Sequence, residues 1–360
     1  MNKKISYMLS ILLAGALFTS CKNGDAEFPD YEGGTSVYFA YQYPVRTIVL
    51  GDDEYDTTLD KAHKCQIKVT FGGSYNGSNG SVNIAVDPTL VDNLTFADGT
   101  PVKAMPTEYY SLSTTTLAFN GGMTGTTEVQ LTDAFFNDPD AIKNTYVIPV
   151  VITSQTGFGK ILSGTLKENG QAIRTDESQW ETLPMDYVLY CVKFQNKYSG
   201  TWLTYGTTSI DNIEKAGTVQ IETKSLSQSV YHASWTTNDY WQYKRDKDGN
   251  IEKDNEGNPL FEKVSKTYNI DLSLNFDGNG QCTISSVTGG YDATGSGSWT
   301  DDGAKKAWGN KDRDLMELAY KIDFNTTDDK GNAIKADVNE KLVWQRSGVT
   351  SEEFAPTYNK

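Results

Sequence analysis

The sequence predicts an all-β protein of two domains, an N-terminal Ig-like β-sandwich followed by a C-terminal antiparallel β-barrel or β-sandwich. Two alternating segments and a series of short strands between turn residues support this prediction. In residues 268–276, YNIDLSLNF, every second residue is apolar and the intervening residues are polar. Residues 316–324, MELAYKIDF, repeat the same apolar spacing. A period of two residues is typical of strands that bury one face.

The remaining segments agree with this fold class. After YNIDLSLNF, the residues DGNG (277–280) predict a turn into a return strand, and EKLVWQRSG (340–348) contains a plausible final strand. Only DAFFNDPDAIK (133–143) predicts a turn or two of helix. Short strands are predicted in the first half at SVYFA (36–40), CQIKVTF (65–71), VNIAV (82–86), TLAF (116–119), TEVQL (127–131) and YVIPVVI (146–152). Such short strands between Gly, Asn, Asp and Ser clusters favour a sandwich in the first half, whereas the second half fits a barrel or a sandwich.

The N-terminus carries the marks of an exported lipoprotein. Lys3 and Lys4 precede the apolar run ILLAGALF (11–18), which is too short to cross a bilayer permanently and predicts a signal peptide at residues 1–20. The segment FTSC then places small residues directly before Cys21, as in a bacterial lipobox. We therefore expect lipidation of Cys21, with cleavage of an ordinary signal peptide as the alternative. Residues 21–34 are acidic and unpatterned, which predicts a solvated tether.

Length and charge define the domain organisation and exclude one class of partner. The mature chain would keep 340 of the 360 residues, enough for two domains, which we place at 35–190 and 191–360. Loss of the two leader lysines lowers the net charge from −15 to −17. Nucleic acid is therefore not an expected partner, because phosphate backbones bind basic surfaces.

Catalytic, nucleotide-binding and metal-binding motifs are scarce in the sequence. Beyond the anchor only Cys65, Cys191 and Cys282 remain, an odd number that excludes a fully paired disulfide framework within one chain. Cys65 and Cys282 are in phase with apolar strand residues and are predicted to be buried. The sequence has no HExxH, GxSxG, P-loop or GxGxxG motif, and DKDGNIEKDNEGN (246–258) lacks the spacing of a calcium loop. We expect no metal, no cofactor and no enzyme activity, with a glycoside hydrolase as a less favoured alternative.

An aromatic cluster gives the candidate binding residues. The segment YHASWTTNDYWQYKR (231–245) predicts a hairpin with TTND (236–239) as its loop, in which Trp235 faces Tyr240. Both faces of that hairpin carry aromatic rings, so some rings should be exposed. Exposed rings beside polar groups suit the apolar face of a pyranose, although cross-strand packing alone also explains them. The predicted glycan-binding residues are Trp235, Tyr240, Trp241, Tyr243, Trp299 and Trp308.

Several segments together resemble one family of proteins. The lipobox, TYVIPVVITS (145–154), YVLYCVKFQNKYSGTW (187–202) and GSGSWTDDGAKKAWGNKDRDLMELAYKIDF (295–324) are similar to two-domain Bacteroidetes surface lipoproteins. Those proteins pair an adhesin-like N-terminal domain of unknown function with a β-rich C-terminal domain, and they tend to be encoded in polysaccharide-utilisation loci. The resemblance implies a glycan-binding or accessory role at the cell surface.

These observations define the expected function and its competitors. We expect an outer-membrane lipoprotein facing the cell exterior that binds a polysaccharide or oligosaccharide without cleaving it, together with an outer-membrane transporter complex as a further partner. Its only contact with the membrane would be the lipid anchor. The alternative from another class is an adhesive or structural subunit that docks to a partner protein through the aromatic patch.

Overall fold

The computed structural model describes residues 29–208 and 214–359, and Cys21, the predicted leader and most of the predicted tether lie outside them. The fold is all-β as predicted, with 54% strand and 8% helix. Helical segments of the described chain are single turns, at α1 (Thr58–Lys61), α2 (Asp133–Phe136) and the 3-10 segments Pro88–Val91, Thr107–Tyr109, Pro139–Ile142, Glu177–Gln179 and Trp308–Asn310. No helix among these residues is long and apolar enough to cross a membrane.

The first domain is a sandwich of two sheets. Its strands are β1 (Ser36–Tyr38), β2 (Pro44–Val49), β3 (Lys64–Gly72), β4 (Ser81–Val86), β5 (Leu94–Thr95), β6 (Lys103–Ala104), β7 (Tyr110–Leu112), β8 (Thr116–Ala118), β9 (Thr124–Leu131), β10 (Tyr146–Thr156), β11 (Lys160–Ile161), β12 (Thr165–Leu166), β13 (Trp180–Thr182) and β14 (Tyr187–Gln195), completed by β23 (Glu352–Glu353) and β24 (Thr357–Tyr358). One sheet has five strands in the order β11-β1-β3-β9-β7. The other has the order β23-β2-β14-β10-β4-β8, with β6 paired to β10.

The core of the sandwich follows from the alternation predicted for β3. Its inward residues Cys65, Ile67, Val69 and Phe71 are all buried and meet Val150 and other residues of the second sheet in one cluster. Strand β10 is apolar on both faces because its other side packs on a second, smaller apolar cluster. Burial on both faces of β10 therefore explains why YVIPVVI does not alternate.

The second domain is a closed eight-stranded antiparallel barrel, which decides between the two predicted architectures. Its strands pair in chain order, and β22 closes on β15. They are β15 (Gly200–Thr208), β16 (Glu214–Thr223), β17 (Gln228–Tyr243), β18 (Phe261–Phe276), β19 (Gln281–Ser286), β20 (Asp292–Ala304), β21 (Arg313–Thr327) and β22 (Ala333–Arg346). A barrel of eight strands has an interior that side chains can fill or that holds one small ligand.

The domain boundary differs from the predicted one at 190. Strand β14 runs on to Gln195, pairing in parallel with β2, and the side chain of Asn196 then ties the junction. Its Nδ2 donates to the backbone oxygen of Ser225 in the β16–β17 connection at 2.7 Å and to Oγ of Ser229 at the start of β17 at 3.0 Å. The polar tail after β22 also departs from the predicted second domain, since it returns to the first domain as β23 and β24.

Candidate functional site

The predicted hairpin at residues 231–245 is wrong, because these residues belong mainly to one long strand. Strand β17 pairs with β18 from Gln228 to Tyr243, and TTND lies inside it at a bulge after Thr237. Trp235 therefore faces Tyr268, not Tyr240, and the actual connection is the exposed segment 244–260. Asn-Asp suits a turn locally, but pairing with β18 determines the strand.

The six predicted binding residues do not form one surface. Trp235 points into the barrel and is only 3% exposed, so it is not a surface platform. Tyr240, Trp241 and Tyr243 lie beyond the bulge at the barrel end distant from the first domain, and we call these three residues the rim aromatics. Trp299 lies at the opposite end, level with Gly280 and Met316. Trp308 follows in the β20–β21 connection and is 47% exposed.

The rim aromatics are half-buried and largely engaged by neighbouring side chains. Tyr243 stacks on Phe261 with ring centroids 5.0 Å apart. Nζ of Lys330 lies 3.2 Å from the ring centroid of Trp241, and Nζ of Lys266 lies 4.0 Å from that of Tyr240. Ammonium groups on the ring faces are favourable, but they compete with a sugar for the same faces.

Trp299 forms part of the domain junction. Nζ of Lys197 lies 3.9 Å from its ring centroid, and Tyr198 makes an edge contact with centroids 5.6 Å apart. Tyr198 in turn stacks on Phe276 with an interplanar angle of 6°. These contacts give Trp299 a packing role, and neither Trp299 nor Trp308 adjoins the rim aromatics.

The barrel interior contains a buried carboxylate that sequence analysis missed. Glu340 of β22 is 5% exposed. It lies opposite Gly206 of β15, which has no side chain to compete for the space. Oε2 of Glu340 accepts hydrogen bonds from the hydroxyl groups of Thr204 at 3.0 Å and Tyr231 at 3.1 Å. Oε1 accepts from the hydroxyl of Tyr320 at 2.7 Å. Three neutral donors thus hold one acidic side chain inside the barrel.

Both tyrosines remain protonated donors at neutral pH. Burial raises the pKa of Tyr231 and of Tyr320 well above the ordinary value, and the nearby charge of Glu340 raises both pKa values further. Their phenol groups therefore keep their protons and donate hydrogen bonds to Glu340. The result is a fixed polar floor beside the apolar core cluster of the barrel.

A gap between two strands gives access to this floor. Strand β16 pairs with β17 only from Ile221 to Thr223, so β17 lacks this partner beyond Tyr231 among the described residues. A cavity of about 160 Å³ lies at the gap. It is lined by Thr204, Gly217, Thr218, Val219, Tyr231, His232, Ser234, Trp235 and Glu340. At liquid density this volume corresponds to roughly five waters. One predicted residue, Trp235, thus lies at the cavity beside a polar floor.

His232 stands at the mouth of this cavity between two carboxylates. Its Nδ1 lies 2.7 Å from Oδ1 of Asp271 on β18, and its Nε2 lies 3.5 Å from Oε1 of Glu222 on β16. Burial lowers the pKa of His232, but the two carboxylates raise it by more, so the net shift is upward. The imidazole therefore links the strands on either side of β17 electrostatically.

A group of acids at the domain junction has the spacing of a metal site. Carboxylate oxygens of Asp52, Asp302 and Asp314 lie within 4.8 Å of one another. Lys61 already forms an ion pair with Asp52 and supplies positive charge to this group. The ammonium group of Lys61 therefore compensates part of the negative charge of these acids, and the cluster does not by itself indicate a bound metal or cofactor.

The sequence did carry a signal for Glu340. In β22 the inward positions Ala336, Val338, Leu342 and Trp344 are apolar, and Glu340 occupies the same phase. A charged residue at an inward position of an alternating strand marks a buried polar group with partners. Finding those partners requires the register of the barrel.

Comparisons with known proteins identify both domains without assigning an activity. Residues 31–159 match a model described as an N-terminal domain, and residues 197–348 match a domain of unknown function, DUF5627. No curated protein matches the chain. A crystal structure of a Bacteroides ovatus protein of unknown function is 31% identical, with a TM-score of 0.72 over 92% of this chain and 100% of that chain.

Two further Bacteroides ovatus structures are more distant. A multidomain protein including DUF1735 is 10% identical, with a TM-score of 0.37 over 88% of this chain and 96% of that chain. A proposed carbohydrate-binding protein is 15% identical, with a TM-score of 0.26 over 90% of this chain and 100% of that chain. These two scores are too low to carry an argument. On the 31% match, the chain belongs to the same family as the Bacteroides ovatus protein of unknown function, with DUF5627 as its barrel domain.

Proposed function

We propose that this protein is a surface lipoprotein that binds glycan without cleaving it, through the cavity between β16 and β17. One observation carries the proposal: an aromatic wall, Trp235, and a polar floor, Glu340 with its hydroxyl partners, border the same cavity. A pyranose has an apolar face that packs on an aromatic ring and hydroxyl groups that need hydrogen-bond partners. The cavity offers both kinds of contact, and its size suits a single sugar ring, such as the one at the end of a glycan chain.

The arrangement around Glu340 supports binding in preference to hydrolysis. Both of its oxygens are already held by hydroxyl groups of the protein, which fixes the carboxylate as an acceptor. A glycosidase needs a second carboxyl group facing the first across the scissile bond, with one of them free to transfer a proton or attack. We therefore propose a binding role, consistent with the scarcity of catalytic motifs in the sequence.

The proposed location rests on the N-terminal sequence. The segment FTSC and the acidic residues that follow support lipidation of Cys21 and a tether. Such an anchor would present the barrel to polysaccharide outside the outer membrane and beside a transporter complex. Globomycin blocks lipoprotein signal cleavage and should therefore mislocalise the protein. A Cys21→Ser variant lacks the lipidated residue and should be released or mislocalised. Unchanged membrane fractionation of Cys21→Ser would contradict the anchor.

Binding can be tested by blocking the cavity without disturbing the core. Gly217 is exposed at the mouth, and a Cβ added there meets nothing within 4 Å, so Gly217→Leu should obstruct entry while leaving the fold intact. Gly289→Leu is the matched control, because Gly289 is also exposed with open space around it and does not line the cavity.

The measurement is affinity electrophoresis of the chain without its leader against soluble plant, host and microbial polysaccharides. We expect one polysaccharide to retard the wild type and Gly289→Leu but not Gly217→Leu. A Trp241→Ala, Tyr243→Ala variant tests the rim aromatics in parallel. Loss of retardation in that variant alone would move the site to the rim, and no retardation by any polysaccharide would refute glycan binding.

A further inference from the structure

A groove at the domain junction leads to the mouth of the barrel cavity. Resting on the proposed function, we infer that an extended glycan chain occupies this groove while the sugar at its end enters the cavity. The protein therefore binds chains of several sugar units in preference to single sugars. The comparisons with known proteins assign no ligand site to the groove.

The groove consists of two segments that adjoin each other. The near segment, of about 410 Å³, lies where the ends of β14 and β22 meet the outer side of β16, and Gln220 and Glu222 of β16 line it. The far segment, of about 540 Å³, lies in the first domain between the β5–β6 connection and the turn Pro139–Ile142. Ile142 and Lys193 line both segments, so the two form one path across the junction.

The near segment reaches the cavity through side chains of β16 and β17. Glu222 lines the near segment, and its Oε1 lies 3.5 Å from Nε2 of His232, which lines the cavity. Gln220 of the near segment is two residues along β16 from Thr218, which also lines the cavity. Residues two apart in a strand lie on the same face, roughly 7 Å from each other. The groove and the cavity therefore open on the same side of the barrel wall, within reach of one short chain.

The size of the groove suits a chain better than a single sugar. Each segment has more than twice the volume of the cavity of about 160 Å³. Because the cavity suits one sugar ring, each segment has room for at least two rings by the same measure. Both segments also have the size of known ligand sites, which often lie between domains. The whole path therefore accommodates roughly five rings.

The cavity is closed at its inner end, which determines the part of the chain that enters it. Tyr231 and Glu340 form a hydrogen-bonded floor, and the apolar core cluster of the barrel lies beside that floor. A glycan chain cannot thread past these side chains, because barrels of eight strands are filled by side chains or hold one small ligand. The unit in the cavity is therefore a terminal one, and the following units lie in the groove.

The side chains of the groove suit a hydroxyl-rich chain. Lys193 pairs with Glu352 at 2.7 Å, and Lys143 pairs with Asp140 at 2.8 Å. The two segments together are lined by three lysines and four acids, so neither sign of charge is concentrated there. Amide and hydroxyl side chains such as that of Gln220 also line the groove. Such groups both donate hydrogen bonds to sugar hydroxyls and accept them.

The dependence of affinity on chain length tests this inference. Cello-, laminari- and manno-oligosaccharides of one to eight units are titrated by calorimetry against the chain begun after Cys21. Size-fractionated hydrolysates of any other polysaccharide that retards the protein are titrated in the same way. We expect affinity to rise about tenfold or more from a single sugar to roughly five units and to level off beyond that length.

Variants test the two segments separately. Thr350→Trp adds bulk at an exposed residue of the near segment and should reduce the affinity for long chains to that for a single sugar. Its control is Thr326→Trp, because Thr326 is exposed on β21 and lines neither the groove nor the cavity.

Lys143→Trp obstructs only the far segment and should remove the gain beyond roughly three units. Its control is Lys305→Trp, because the two lysine side chains are 66% and 67% exposed and each pairs with an aspartate. Lys305 does not line the groove. Both controls should keep the chain-length dependence of the wild type.

The outcomes separate this inference from the proposed function. Equal affinity for a single sugar and for longer chains, or a gain that Thr350→Trp and Lys143→Trp both keep, would overturn binding in the groove while glycan binding in the cavity stands. An equal loss in each variant and its control would overturn it too. Undiminished binding of long chains by Gly217→Leu would overturn the inference that one chain occupies groove and cavity. If no polysaccharide retards the protein and no oligosaccharide binds, the proposed function itself is refuted.

Discussion

Nδ1 of His232 lies 2.7 Å from Oδ1 of Asp271 and so connects β17 to β18 at the mouth of the barrel cavity. Glu222 faces the same imidazole from β16 at 3.5 Å. The two carboxylates raise the pKa of His232 above its ordinary value despite its partial burial. A histidine whose folded pKa is raised contributes stability that is complete below the unfolded pKa of about 6.5 and is lost as pH rises through the folded pKa.

This pair predicts a pH-dependent effect of His232→Gln. The variant should lower the free energy of unfolding by about 0.2–1 kcal/mol in acid, a range that allows for solvent screening of a partly exposed pair. The difference should disappear as pH rises above the folded pKa. Urea unfolding of both proteins across this range measures it, and a difference that does not change with pH would contradict the ion pair.

Replacing Glu340 should distinguish charge from hydrogen bonding in the barrel. Glu340→Leu leaves the hydroxyls of Thr204, Tyr231 and Tyr320 without their acceptor, and each buried unpaired group costs about 1–3 kcal/mol. Glu340→Gln keeps one acceptor oxygen and should cost less than Glu340→Leu. The comparison uses urea midpoints, and a Leu variant as stable as the wild type would show that the hydroxyls find other partners.

The local alternation of the sequence predicted the strands but not their closure. Tyr268, Ile270 and Leu274 on β18 are buried as the pattern indicates, and so are Met316 and Leu318 on β21. Alternation records which side of a strand is buried, and that side is the same in a sandwich and in a barrel. The choice depends on whether β22 pairs with β15, more than a hundred residues earlier, and no local pattern records that pairing.

The candidate site was harder to predict for the same reason. Trp235 is one of the predicted binding residues and lines the cavity, but its predicted neighbour Tyr240 depends on an assumed loop, whereas its observed neighbours Tyr268 and Tyr320 come from other strands. Glu340 was overlooked because its partners Thr204 and Tyr231 are distant in sequence. Polar groups inside a barrel become recognisable as a site only when the register brings them together.

The three cysteines of the described chain should be unreactive in the folded protein. Burial raises the pKa of Cys65 and of Cys191 to about 12 and that of Cys282 to about 11, so thiolate is scarce near neutral pH. All three are free and buried. Titration of the chain begun after Cys21 with a thiol reagent should give no fast reaction in buffer and three thiols in denaturant. Fast labelling of the native protein would contradict their burial.

Asp314 should destabilise the protein at alkaline pH. This carboxyl group is 4% exposed, and burial, followed by the charges of Asp301 and Asp52, raises its pKa to about 7. A folded pKa raised above the unfolded value of about 3.9 gives stability at low pH that is lost as pH rises through 7. Asp314→Asn should therefore be more stable than wild type by roughly 2–4 kcal/mol above that pH.

The advantage of Asp314→Asn should shrink as pH falls toward 4. Asp312→Asn serves as the control, because Asp312 is exposed and pairs with Lys305 at 3.1 Å, and its pKa is lowered. The control should show no such gain at high pH. Thermal melts at several pH values measure both variants, and equal behaviour of the two would contradict the buried carboxyl.

The C-terminal tail should stabilise the first domain and not the barrel. Phe354 is 8% exposed and packs against Tyr43 and Phe96, with ring centroids 5.4 and 5.1 Å apart. Phe354→Ala should cost about 3 kcal/mol in that domain. Hydrogen exchange should quicken in β2 and β14 while the barrel strands keep their protection. Val287→Ala, at a side chain 54% exposed in the barrel, should change neither.

Strand β23 also bears on how the chain folds during synthesis. Its partner β2 is made near the start of the chain, but β23 is made after the whole barrel. Domains usually fold in order as they leave the ribosome. Here the first domain keeps an open sheet edge at β2 until β23 has been translated, and an unpaired edge invites pairing with other chains. The sandwich is therefore begun before the barrel but completed only after it.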